Sequence, residues 1–186
     1  MTNYLIDGHD LSKLFDQQYP AIKFSEDPKV HIPKKGSIIY TVFDKSGTFI
    51  YVGIAGIQKS LENRSSISRM MSHSSGRRSG DQFCVYVHDV FVIPELVKRG
   101  TYEPSRGLLD RLTKEYIQEN LSYRFCSFQT DDSIKIVRNL ETKIKSPVNK
   151  VGIIELDGIL KGSTTKPRNA NTKSNTGKNS ADHWTI

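Results

Sequence analysis

The sequence predicts an α/β fold of the α+β type: a small, mainly antiparallel central sheet built on a tyrosine-bearing hairpin and flanked by helices. Three observations predict it. Ile38 to Phe43 and Thr48 to Val52 are β-branched and aromatic runs joined by the turn chemistry of Asp44-Lys45-Ser46-Gly47. Apolar runs over 83–93 and 121–128 read as further strands. Segments of helical period lie between and after them, over about 62–74, 108–120 and 132–145.

In chain order, residues 1–35 read as an N-terminal extension. Asp10 to Phe15 predicts a short helix with Leu11, Leu14 and Phe15 on one face, and Pro20, Pro28 and Pro33 then break the chain. Residues 36–160 read as the compact domain. With 44–47 as a four-residue loop, Phe43 pairs with Thr48, and counting outward sets Tyr40 opposite Tyr51. The next helix carries Arg69 and His73 four apart on one face, with Ile67, Met70 and Met71 expected to anchor it. Residues 94–107 read as a loop. In the last helix Ile134, Val137, Leu140 and Ile144 form an apolar stripe with Glu141 inside it, and Asp131-Asp132 reads as a cap. Phe83, Tyr86 and Phe91 read as core, and His31 and His88 are given no role. Residues 161–186, rich in Lys, Asn, Ser, Thr and Gly, are expected to be a basic, disordered tail.

Composition narrows the function classes. The 186 residues suit one domain with tails. No apolar run is long enough to span a bilayer, and Met1 to Asp10 lacks the pattern of a secretory leader. Cys84 and Cys126 lack metal-ligand spacing and read as buried free thiols, which fits the cytoplasm. The net charge is +7. From Lys161 onward five basic residues face Asp182 alone, so the tail carries +4 and the rest of the chain only +3. Net charge is therefore a weak argument for nucleic acid, and local clusters must carry it. The densest lies around the first long helix: Lys59, Arg64, Arg77 and Arg78, with the Ser-Gly-Arg-Arg-Ser-Gly run 75–80. Such side chains and free amides grip phosphates, although a solvated basic face has the same composition.

A carboxylate aimed at a core needs a partner. For Glu141 two readings stand side by side: an ion pair with an arginine such as Arg69, or a ligand for a hard divalent cation. Asn149, after Pro147, returns an amide near the end of that helix. A single tyrosine on a strand is ordinarily packing; two phenols brought together at a hairpin point to a polar task.

Taken in order, Ile38-Ile39-Tyr40, Tyr51-Val52-Gly53, Arg69, His73, Glu141 and Asn149 resemble the GIY-YIG nuclease family over residues 37 to about 150. The stretch 68–86 resembles small stand-alone bacterial members. Ile38 stands where the family name has Gly, and Val52 replaces Ile. The longer segment before Arg69 makes Arg64 its rival, and the four-residue spacing to His73 favours Arg69.

The resemblance implies a metal-dependent endonuclease hydrolysing phosphodiester bonds, with DNA as partner and RNA also admissible. It implies Mg²⁺ or Mn²⁺ held by Glu141, and charge neutralisation by Arg69. Tyr40 is the expected general base, with Tyr51 orienting, His73 sharing the proton and Asn149 ordering the site. The alternative is a non-catalytic nucleic-acid-binding module on the same scaffold. Target choice is expected from residues 1–35 and the loop 94–107.

Overall fold

The computed structural model describes residues 4–56, 65–100 and 105–144. Lys59, Arg64, Asn149 and the tail 161–186 lie outside them.

A short hairpin opens the fold, β1 (Leu5–Ile6) with β2 (His9–Asp10), followed by α1 (Ser12–Phe15), β3 (Ile22–Lys23) and α2 (Pro28–His31). The segment read as an extension is thus folded onto the domain. Leu11 and Leu14 are fully buried, and the Thr41 hydroxyl donates to the Leu14 carbonyl at 2.7 Å. Phe24 and Ile32 lie in the core on the other side of the sheet.

The central hairpin comprises β4 (Ser37–Phe43) and β5 (Phe49–Ala55). Its loop is one residue longer than the sequence count allowed. The Asp44 carboxylate accepts from the backbone N–H of both Ser46 and Thr48 at 2.9 Å, drawing Thr48 into the turn. Gly47 supplies the left-handed residue there, at φ 81°. Phe43 therefore pairs with Phe49, and the register shifts between Val42 and Phe43. Tyr51 stands opposite Val42, and Tyr40 stands opposite Gly53. The expected Tyr40–Tyr51 pair is corrected to a diagonal one on the same face, with ring centroids 6.1 Å apart.

After the hairpin come α3 (Ser66–Ser74) and α4 (Gln82–Val87), a π-helical turn (His88–Val92) and α5 (Ile93–Arg99). The strand expected over 83–93 is helical instead. Asp81 caps α4 by accepting from Phe83 N at 3.1 Å, and Phe83, Cys84, Val87 and His88 bury one helical stripe. Burial on that stripe outweighs the β preference of Val, Phe and Tyr. The expected loop at 94–107 is likewise helical through Arg99, where Gly100 ends α5 in the left-handed region. Phe83 is core, with Tyr86 and Phe91 packed against it, as expected. Met71, expected to anchor α3, is 47% exposed, because the inward face carries Ser66, Met70 and His73.

The remaining elements are α6 (Arg106–Asn120), β6 (Ser122–Phe128) and α7 (Ser133–Lys143), close to expectation. The sheet is antiparallel throughout, in the order β3-β6-β4-β5. It is buried on both faces. One face carries Ile38, Tyr40 and Val42 against Met70, Phe83 and Ile117, that is, against α3, α4 and α6. The other carries Ile39, Val52 and Cys126 against Leu11, Leu14, Val137 and Leu140 of α1 and α7. Lys143 and Asn139 of α7 both reach the Asp7 carboxylate in the β1–β2 turn, the latter at 2.6 Å. Cys84 and Cys126 are buried and free. Among the described residues no helix is long and apolar enough to cross a membrane.

Candidate active site

The site begins at the hairpin. β4 turns the Tyr40 side chain toward α3, where it is completely buried. Its hydroxyl lies 2.7 Å from His73 Nε2. Gly53 makes room for that ring: a Cβ there would lie 2.4 Å from Tyr40 Oη. Tyr51, two residues before Gly53, packs beside Tyr40 and is 8% exposed.

His73 reaches the phenol because α3 presents residues 66, 70 and 73 inward. Its other nitrogen, Nδ1, lies 2.8 and 3.0 Å from the two oxygens of Asp81, which is 2% exposed. A carboxylate only accepts, so Nδ1 carries the hydrogen. Nε2 of the neutral ring is then an acceptor, and Tyr40 donates to it. The result is a buried chain, Asp81–His73–Tyr40, of the kind that fixes an imidazole tautomer. Ser72 Oγ also donates to Asp81, at 2.7 Å.

The titration behaviour follows from burial. Desolvation holds His73 below its ordinary range, against the pull of Asp81, so the ring is neutral near pH 7. Burial would raise Asp81, but the hydrogen bonds and charges of His73, Ser72 and Arg69 prevail and keep it low, hence ionised. Burial pushes Tyr40 well above an ordinary phenol, with Arg69 opposing through its charge and a hydrogen bond. Tyr51 is raised to about 12, mainly by burial, with Arg69 and a hydrogen bond to Tyr40 working the other way.

Arg69, one turn before His73 on α3, is the common electrostatic neighbour of Tyr40, Tyr51 and Asp81. Glu141 comes from α7, on the opposite face of the sheet, and its strongest charged neighbour is also Arg69. Half-buried, it is held above the usual carboxylate range by desolvation, with Arg69 and then Arg138 opposing. The site therefore draws side chains from both faces of the sheet. Glu141 forms no ion pair with Arg69 among the described residues; Arg69 acts on it only through its charge, and the carboxylate remains partly accessible.

Of the predicted residues, Tyr40, Tyr51, Arg69, His73 and Glu141 are brought together. Arg77 is exposed on the loop after α3. Arg78 points elsewhere: its Nε donates to Asp110 of α6 at 2.8 Å and its Nη1 sits 3.4 Å from His88. The residue that sequence reasoning passed over is Asp81. Its signal was an acidic residue opening a new helix eight positions after a helical histidine.

For a metal, the donor set is sparse. Among the described residues no group of three or more His, Cys, Asp or Glu could hold an ion. Glu141 alone is the chemistry of a hard cation such as Mg²⁺, which keeps several waters and takes substrate oxygens.

Compared with known proteins, the sequence matches no family model, no curated protein and no solved structure.

Proposed function

We propose that this chain is a divalent-metal-dependent endonuclease that hydrolyses phosphodiester bonds in DNA. The observation that carries the reading is the convergence of one arginine and one carboxylate on a buried Tyr40–His73–Asp81 chain. Arginine suits a phosphate, the carboxylate suits a hard cation, and the tyrosine–histidine chain suits removal of a proton. The ordered likeness to GIY-YIG nucleases points the same way.

Glu141 would hold Mg²⁺ or Mn²⁺, which would supply charge for the scissile phosphate and the departing oxygen. Arg69 neutralises charge growing on the non-bridging oxygens. As water attacks phosphorus, its proton passes to Tyr51 Oη, the phenol nearer the surface, the Tyr51 proton passes to the fully buried Tyr40, and the Tyr40 proton passes to His73 Nε2. The P–O bond to the leaving sugar breaks, and that oxygen takes a proton from solvent. Tyr40 is protonated at rest, because burial holds its phenol far above the ordinary range, so it accepts a proton only by passing its own to His73. Asp81 stabilises the imidazolium that forms. Tyr51, hydrogen-bonded to Tyr40 and nearer the surface, orients the water. A cytoplasmic setting belongs to the same proposal and rests on the two free thiols.

Glu141→Ala, assayed on supercoiled plasmid with Mg²⁺, is expected to lose nicking. Nicking undiminished in the folded variant would overturn the assignment.

A further inference from the structure

A cleft lined by two cations lies beside the site described above. The loop 75–80 and α6 enclose a cleft of about 570 Å³ whose walls include Arg77, Lys114, Ser72, Ser75 and Ser79. None of the residues lining it is acidic. Neither Arg77 nor Lys114 forms an ion pair among the described residues, whereas the neighbouring Arg78 is spent on Asp110 and Arg111 faces Glu115.

The pair of cations is held by the fold. Gly76, at φ 69°, lies so close to α6 that a Cβ would fall 2.4 Å from Lys114 N and 2.6 Å from the Asp110 carbonyl. The Arg78–Asp110 bridge and a 3.3 Å bond from Gln118 Nε2 to the Ser74 carbonyl pin the same loop. The negative end of α3 does not oppose an anion there with bare carbonyls. Those of Met71, Ser72, His73 and Ser74 accept from Ser75 N, Ser75 Oγ, Gly76 N and Gln118 Nε2 respectively. Ser72 connects the cleft to the site already described, because its hydroxyl bonds Asp81. Met71, 47% exposed, gives the wall an apolar surface beside the charges.

We infer that this cleft, with Arg77 and Lys114 as its two cations, binds a backbone phosphate of the nucleic-acid strand other than the one being cut. It rests on the nuclease reading for the identity of the strand. The site sets the path of the substrate across α3, from Arg69 on one side of the helix to Lys114 on the other. Lys114 takes the place that the sequence reading gave to Arg78.

The test is salt-dependent binding of a fluorescein-labelled DNA duplex in EDTA, which separates binding from cleavage. Each phosphate contact contributes about 0.9 to the slope of log K against log salt. The Arg77→Ala, Lys114→Ala double variant is expected to flatten the slope by about 1, or by about 2 if each cation holds its own phosphate. Lys45→Ala, at the exposed tip of the central hairpin, serves as the control and is expected to leave the slope unchanged. Wild-type slope in the double variant, or an equal flattening in the control, overturns the cleft and leaves the nuclease reading standing. Failure of the wild-type chain to bind DNA at low salt overturns both.

Discussion

Gly53 is the position where one added methyl reports on the whole site. Its backbone is not in the left-handed region, so alanine is allowed by its dihedrals. The obstacle is purely steric. A Cβ would sit 2.4 Å from Tyr40 Oη, 2.6 Å from Tyr40 Cζ and 2.8 Å from Tyr51 Cε1. Carbon atoms pack comfortably at about 3.5 Å, so the rings must retreat by about 1 Å. Tyr40 has no free space, being fully buried between Tyr51 and His73. A retreat of that size is enough to take its 2.7 Å bond to His73 out of hydrogen-bonding reach. Overpacking costs about 1–3 kcal/mol. Leaving a buried phenol and imidazole unpaired costs about 1–3 more. Because the two terms overlap, Gly53→Ala is expected to destabilise by about 2–4 kcal/mol, read as a lower urea midpoint at unchanged slope. Nicking of plasmid should fall with it by at least about tenfold. Adding Tyr40→Phe removes the closest clash, so the double variant should be less destabilised than the two single effects summed. Gly53→Ala within about 0.5 kcal/mol of the parent, with nicking intact, would refute the packing argument.

Asp81→Asn keeps an acceptor for the Phe83 N–H but removes the charge that sets the His73 tautomer; nicking is expected to fall by up to about ten-thousandfold, the order that a wrong tautomer costs, measured as a pH–rate profile beside a denaturation curve. Acid should weaken the fold through His73: its folded pKa lies below 6.5, so the unfolded chain binds more protons below that pH, and stability should decline as pH falls from about 6.5, with Asp81 adding a further loss below its ordinary 3.8. Urea midpoints at several pH values check this, and a His73→Gln chain should lose the upper part of the decline. Glu141→Gln should abolish metal-dependent nicking without lowering the midpoint at pH 7, because burial disfavours the charge it removes. Tyr123→Phe should be neutral or raise stability by about 1 kcal/mol, since the Tyr123 hydroxyl is buried with no hydrogen-bond partner among the described residues.

Much of the architecture was legible in local patterns. The β-branched runs around Asp44 to Gly47 marked the hairpin, and the stripe of Val137, Leu140 and Ile144 marked α7 with Glu141 beside it. The serine-capped α3 kept Arg69 and His73 one turn apart, as their spacing required. These features rest on periodicity and turn chemistry, which act over a few residues and leave a direct trace in the chain.

What the sequence by itself determined, then, is which residues could meet: two tyrosines on a hairpin, an arginine and a histidine on one helix, a carboxylate on another. Only the tertiary structure decided how they meet. The register of Tyr40 against Gly53 depends on Asp44 drawing Thr48 into the turn, a shift of one residue that strand propensity does not resolve. Residues 82–92 became helical because one side of that segment had a core to bury against, which outweighs β preference. The place of Asp81 in the site depended on that helix, since the residue capping its start is the one that meets His73. A hydrogen bond between side chains eight positions apart, across two helices, leaves no periodic trace; it exists because burial in a shared core forces both groups to find their partners there.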